Sequence, residues 1–401
     1  MAVSENPTPR EDSGLDSARC EQWLAAALRG QPEHWPGPSS WTGAIDDIAD
    51  AAIYHGVAGL LADMPDVAGA WPEPLVARLT RQARAQAMWE LRHREVLDEV
   101  LAELDGLGIR SLLMKGTAIA YDLYANPAAR SRGDTDLLVA AADLGRSQAI
   151  LARLGFARGT GDGLGEEFAN QQSWVHTSAD GGAHAIDLHW QVMNAPALRT
   201  MLPVEECLNQ SRALPRLSRH ARAMDRARLL LHTCLHRAMH RNAPYFVGQA
   251  TYYGSGRLVW TNDIHLLCQA LDREQWSLFC RLAEEWGVAG VCLDGLRQAQ
   301  AVLATPIPGE ILHRLDAASA SDGKFAHFVP SRALARAWQD VRAVAGMAPK
   351  LRYAWARLVP RADFLRAKYP GMAGYPLPLL YLRRMVGVVR RSGGSGNADA
   401  G

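Results

Sequence analysis

Asp134-Thr135-Asp136-Leu137-Leu138-Val139 reads as a strand that is charged at its start and apolar at its end. Side chains alternate faces along a strand, so Asp134 and Asp136 project from the same side. Two neighbouring carboxylates repel unless a cation neutralises them, and removing both charges is expected to relieve the apo protein. A second apolar strand, Ile186-Asp187-Leu188-His189-Trp190, offers a third oxygen ligand from Asp187. Three carboxylates on one sheet face suit a pair of Mg²⁺ ions holding a nucleoside triphosphate. Lys115-Gly116-Thr117 precedes them at what reads as a strand-to-helix turn.

Around this stretch the chain has an ordinary composition. It is 401 residues long, 48% apolar and 21% charged, with a net charge of +1. That length allows about two or three domains and a sizeable core. Nothing global argues for nucleic acid or a membrane, yet the charge is uneven. Ten Lys/Arg against the single acid Asp363 give Lys350–Arg391 a charge of +9, and the remainder −8. An anionic partner is therefore expected locally, at the C-terminus, serving the acceptor more than the nucleotide. Arg383/Arg384 and Arg390/Arg391 bracket the apolar Met385–Val389, which suits an amphipathic surface helix. The plain alternative is a docked helix with its arginines in water. The six cysteines form no Cys-x-x-Cys pair, which fits reduced thiols and a cytoplasmic setting. No apolar leader opens the chain, and no run of about 18 apolar residues occurs.

The pattern divides the chain into six parts. Residues 1–18 are polar and expected to be disordered. Residues 19–108 read as helices, including a long amphipathic run from Pro74 to Leu107 stopped by Gly108. Residues 109–218 mix strands and helices. A short strand, Ile109–Met114, leads into a helix from Thr117, and Ala141–Leu154 is a further helix closed by Gly155. Ala179-Asp180-Gly181-Gly182 is a hairpin turn between Ser173–Thr177 and Ala183–Trp190. Residues 219–345 return to helices at Arg222–His240, Asn262–Leu271, Val288–Leu303 and Ser331–Ala345. Asp272 with Gln275 announces a capping box, and Gly287 ends that helix. Residues 346–391 are the basic segment, and 392–401 a flexible Gly/Ser/Asn/Ala tail.

An ordered set of motifs carries a resemblance. Leu113-Met114-Lys115-Gly116, the aromatic helix Tyr121–Tyr124, Arg130–Val139 and Asp187–Trp190 follow one another. His236–His240, Trp260–Ile264, Val359–Pro370 and Tyr381–Arg384 come later. The set resembles the bacterial uncharacterised nucleotidyltransferase family proteins, a branch of the polymerase-beta-like nucleotidyltransferase superfamily, over about residues 54–391. One departure stands out: the broader superfamily has Gly-Ser or Gly-Gly where this chain has Lys115-Gly116.

The resemblance implies an α+β fold: a small mixed-sheet polymerase-beta-like core with N-terminal helices and a large helical C-terminal domain. It implies a metal-dependent enzyme that moves an NMP from an NTP to an acceptor and releases pyrophosphate. A small-molecule or peptide acceptor is favoured. Asp134, Asp136 and Asp187 are then the metal ligands, with Asp187 also the candidate base beside the acceptor hydroxyl. Gly116 lets a triphosphate approach the backbone, and the amides of the following helix, with Thr117, point at it. The plain alternative is an ordinary strand-to-helix turn. Lys115 and Arg130 are candidate phosphate ligands, with Arg132 a weaker one. His189 shares the strand face of Asp187 and orients the site or a substrate, or else is structural.

His232, His236 and His240 repeat every four residues along one helix face. Imidazoles so spaced can share Zn²⁺. No neighbouring Cys or carboxylate completes the set, so the row reads as a polar seam or a wall of the nucleotide cleft, with His236 and His240 near the substrate. Asp263 reads as an acid in the first turn of its helix with no further role. Two other functions compete: a non-catalytic nucleotide or peptide binder, and a toxin-type nucleotidyltransferase modifying tRNA or protein.

Overall fold

The computed structural model describes residues 17–33, 35, 44–159, 164, 167–241, 245–247, 250–252, 256–323, 333–372 and 374–393. Its centre is a mixed seven-stranded sheet. The strands are Ser111–Leu113 (β1), Asp134–Val139 (β2), Ala157–Arg158 (β3), Gln171–Thr177 (β4), Ala183–His189 (β5), Arg212–Ala213 (β6) and Arg222–Ala223 (β7). Their order across the sheet is β3-β4-β5-β2-β1-β7-β6. β2 lies between β1, antiparallel, and β5, parallel. Leu137, Leu138 and Val139 alternate between the two faces and are all fully buried, so the apolar end of this strand is covered on both sides. Each contributes about 2 kcal/mol by leaving water. Together they anchor a strand whose first residues are acidic.

Helices surround the sheet. Ser17–Leu28 (α1), Ala44–Tyr54 (α2), Ala58–Ala62 (α3) and Pro65–Ala70 (α4) precede the 34-residue Glu73–Gly106 (α5). Gly108 ends that run at φ +69°, a conformation that glycine adopts without strain. Lys115–Leu123 (α6), Leu144–Arg153 (α7) and Val204–Asn209 (α8) lie among the strands. Arg226–Arg241 (α9), Leu258–Ala270 (α10), Arg273–Glu285 (α11), Ala289–Leu303 (α12) and Gly309–Ser319 (α13) follow. Ala333–Ala343 (α14), Met347–Leu358 (α15), Ala362–Lys368 (α16) and Leu377–Gly393 (α17) complete the chain. This is the α+β architecture that the motifs imply.

One apolar core runs from Leu97 and Leu101 of α5, through Leu112, Leu138 and Ile186 of the sheet, to Leu230, Phe279, Leu296 and Leu315. A smaller core joins α1–α5 to the start of α10. Trp23 stacks on Trp71 there, with ring centroids 4.1 Å apart, beside Leu79 and Val259.

Local signals and structure agree at several ends. Gln275 N–H donates to Asp272 Oδ1 at 2.8 Å and Asp272 N–H to Gln275 Oε1 at 3.2 Å, which completes the capping box. The expected hairpin closes through Ser178 N–H to Gly182 O at 2.9 Å, with Gly181 at φ +84°. Several boundaries move. The strand expected over Ile109–Met114 is Ser111–Leu113, and the helix expected from Thr117 starts at Lys115. The helix expected over Ala141–Leu154 is α-helical over Leu144–Arg153, and the one expected to reach Ala345 ends at Ala343. The helix expected from Arg222 starts at Arg226, because Arg222 and Ala223 extend the sheet beside β1. The helix expected from Asn262 begins four residues earlier, at Leu258. Ser17 and Ala18 already belong to α1, and Ser392 and Gly393 continue α17. The remaining residues of the expected terminal tails, and Ser331, lie outside the described residues.

Candidate active site

The site begins with strand register. Asp136 is the partner of Asp187 across the parallel β2–β5 pair, and Leu138 is the partner of His189. Period two then puts Asp134, Asp136, Asp187 and His189 on one face of the sheet. Asp136 is the hub. Its Oδ1 accepts from Lys115 Nζ at 2.5 Å and from His189 Nε2 at 2.9 Å. Ligand atoms of Asp136, Asp187 and His189 all lie within 4.8 Å of one another. Gln171 Nε2, on β4, donates to Asp187 Oδ2 at 3.3 Å. Asp134 stands at the exposed start of the strand, while Asp136 and His189 are buried.

Lys115 reaches Asp136 through an unusual backbone. It opens α6 at φ +46°, the left-handed region that non-glycine residues avoid at a cost of order 1 kcal/mol. The next residue is also constrained. A Cβ at Gly116 would sit 2.7 Å from Cζ of Arg130, so only glycine lets that guanidinium lie against the turn.

The electrostatics separate the carboxylates. Burial works against charge on Asp136, but the Lys115 ammonium and the His189 hydrogen bond win and hold it well below the usual carboxylate range. Burial, then the charges of Asp136 and Asp187, push Asp134 up to about 6, although much of its surface is exposed. Asp187 is also raised, by burial and then by Asp136, against the relief of Ser173 and Lys115. Burial alone would lower Lys115, but Asp136, Asp134 and Asp187 hold it above the ordinary lysine value. Burial depresses His189 despite its carboxylate neighbour, so the imidazole is neutral. The cluster thus holds three carboxylates against one lysine, and two of the three resist ionisation.

A family model described as uncharacterised nucleotidyltransferase matches residues 43–304, which include every residue of this cluster. The chain belongs to that family. No curated protein matches it. As a family member it carries a transferase scaffold, and its Asp136–Asp187–His189 group is compatible with binding a metal.

The other expected residues of this nucleotidyltransferase-family chain fall in different places. Arg130 is buried and gripped by Asp263 of α10, through Nη2 to Oδ2 at 2.6 Å and Nε to Oδ1 at 3.3 Å. Tyr124 Oη donates to Asp263 Oδ1 at 2.7 Å. Asp263 is therefore no idle first-turn acid: it lies in the second turn of α10, is buried, and holds the arginine that lies over Gly116. Arg132 turns away from the cluster and pairs with Glu90 of α5, its guanidinium 5.5 Å from the ring centre of Tyr121. The Thr117 hydroxyl also faces the other side of the sheet, where it meets Thr135 Oγ1 at 3.0 Å. Its backbone N–H remains in the first turn of α6.

The imidazole row of α9 faces the cluster electrostatically. Burial first, then the Lys115 charge, depress His232 to about 3 and His240 to about 4. Burial and its neighbour His240, then Lys115, put His236 well below the ordinary histidine range. The rings of His236 and His240 pack 5.1 and 5.4 Å from that of Trp260. All three are neutral walls. Among the described residues the row does not come together with a third ligand into a metal site. The back of β2 escaped the sequence reading: His93 Nε2 lies 2.7 Å from Thr135 Oγ1, and the His93 ring stacks on Trp89 at 4.3 Å. The signal the sequence offered was a histidine on the apolar face of a long helix, four residues before Leu97.

Proposed function

We propose that this protein is a metal-dependent nucleotidyltransferase that moves an NMP from an NTP to an oxygen acceptor, with release of pyrophosphate. The observation that carries the reading is the pairing of Asp136 with Asp187 on adjacent parallel strands, with Lys115 and His189 both bonded to Asp136.

The residues fit a divalent cation. Hard oxygen donors from Asp134, Asp136 and Asp187 share one face, and the raised values of Asp134 and Asp187 reflect a shortage of positive charge there. Mg²⁺ held by these carboxylates supplies Lewis-acid charge for the triphosphate and for the acceptor oxygen. The chain's own residues supply the rest. Lys115 exchanges its bond to Asp136 for the phosphate oxygens. The backbone N–H groups of Gly116 and Thr117, in the first turn of α6, meet the same anion. Arg130, oriented by Asp263, adds a guanidinium beside that turn.

Asp187, with its raised proton affinity, accepts the proton of the acceptor hydroxyl. The freed oxygen forms its bond to the α-phosphorus while the bridging P–O bond to the β-phosphate breaks, and pyrophosphate leaves with the electron pair. His189 keeps Asp136 in position through Nε2–H. His236 and His240 line the approach for the substrate, with neutral rings that add no positive charge beside the carboxylates.

The test is calorimetric titration of the four common NTPs, with and without Mg²⁺, against wild type and Asp134→Asn/Asp136→Asn. Binding is expected only with Mg²⁺ and only in the wild type. Unchanged Mg²⁺-NTP affinity in the double variant refutes the metal role.

A further inference from the structure

Fourteen large hydrophobic side chains stand exposed among the described residues, and eleven of them lie between Trp338 and Val386. That segment falls outside the stretch matched by the family. The exposure is ordered. Met347, Leu351, Trp355 and Leu358 of α15 are 72%, 65%, 65% and 69% exposed, and their spacing of four, four and three lines them along one stripe. Helical geometry puts Lys350 and Arg357 on one flank of that stripe, while Arg352 on the other is ion-paired with Glu167, Nη2 to Oε1 at 2.6 Å. The opposite side carries buried Tyr353, which meets Phe168 edge-on at 5.1 Å and docks the helix.

α17 repeats the arrangement. Leu379, Leu382 and Val386 are exposed at i, i+3 and i+7, while Leu380 is fully buried. Arg384 Nη2 donates to the Arg357 carbonyl at 2.9 Å and ties the two helices together. Around both stripes the sequence is strongly basic: ten Lys/Arg against one acid from Lys350 to Arg391, in a chain whose remainder is acidic.

We propose that α15 and α17 dock this protein on an anionic lipid bilayer, in the plane of the interface. The apolar stripes enter the boundary between headgroups and acyl chains, where Trp355 finds the mixed environment that indole favours. The flanking Lys and Arg side chains meet lipid phosphates. No described helix is long and apolar enough to cross a membrane, so the contact is superficial. An acidic protein would satisfy the charge, but it needs a groove cut to two protruding stripes. A bilayer conforms to both and carries the charge itself. The inference is independent of nucleotidyl transfer and is read without nucleotide.

The experiment is co-sedimentation of the full chain with vesicles of phosphatidylcholine alone, or with roughly one third phosphatidylglycerol. The expected result is a preference of about tenfold or more for the anionic vesicles, weakening as salt rises. Leu351→Ser/Trp355→Ser/Leu358→Ser should keep the wild-type melting temperature and lose about tenfold in partition. Lys350→Gln/Arg357→Gln should lose roughly tenfold on anionic vesicles only. Equal partition on both vesicle types, or a serine variant that binds as well as wild type, overturns the proposal. So does light scattering that finds a wild-type dimer split to monomers by the serine substitutions, since a second copy then covers the stripes.

Discussion

The two faces of β2 carry polar groups at alternate positions of one six-residue strand and treat them in opposite ways. On the front, Asp134 and Asp136 gather charge around Lys115, Asp187 and His189. On the back, Thr135 joins Thr117 and His93 in a short neutral chain of hydrogen bonds. The front is rich in negative charge and stays partly open. The back is uncharged at its centre and buried away from water. A strand can thus be rigid and reactive at once, because period two keeps the two requirements on separate sides.

The largest effect that sharpens this contrast is expected at Asp136. Its charge holds both Lys115 and His189, so Asp136→Asn leaves a mostly buried ammonium without its partner. Chemical denaturation should give a loss of about 2–3 kcal/mol, with Mg²⁺-NTP binding abolished. Asp134→Asn should also abolish binding, yet leave the melting temperature at pH 7.5 equal or higher, because Asp134 already resists ionisation. This splits the expectation that removing both charges is a relief: the structure supports it for Asp134 and contradicts it for Asp136, whose carboxylate is held below its usual range by two bonded partners.

A pH scan tests the back face. Burial, then Arg132 and His184, depress His93 to about 3, against 6.5 for an ordinary histidine. Between those values the unfolded chain binds a proton that the folded one refuses. The His93 contribution is therefore complete above about pH 6.5 and is lost as pH falls toward 3, by up to about 1.4 kcal/mol per pH unit. His93→Gln keeps a hydrogen-bonding side chain without the titration. Stability measured from pH 7 to pH 5 should fall less steeply in that variant, and parallel curves would break the assignment.

The smallest effect belongs to Thr135→Val. It removes the hydroxyl shared by His93 and Thr117 and should cost about 1–2 kcal/mol. Mg²⁺-NTP affinity should stay unchanged. A loss of affinity as large as that from Asp134→Asn would show that the two faces are not independent.

Much of this arrangement was legible because the signals are local. Alternation put Asp134 and Asp136 on one side, Gly108 and Gly287 marked helix ends, and Asp272 with Gln275 marked a helix start. What stayed hidden is non-local. Arg130 meets Asp263 across 133 residues, and Thr135 meets His93 across 42. No periodicity reports such pairings, since each depends on how helices cross the sheet. The two-residue strands β6 and β7 were equally silent: they exist because β1 offers a free edge, not because Arg212–Ala213 or Arg222–Ala223 favours a strand. Arg130 and Arg132 show the same limit from the other side. Both read as loop arginines, and burial sent one to α10 and the other to α5.

The unbroken apolar core from Leu97 to Leu315 bears on how this chain comes apart. Ile186 in the sheet and Phe279 in the helices belong to the same packed interior, so neither can leave it without wetting the other. Heating should therefore release sheet and helices in one cooperative step. A fragment ending near residue 218 should be prone to aggregation, because its inner face was shaped against α9 and has nothing else to rest on.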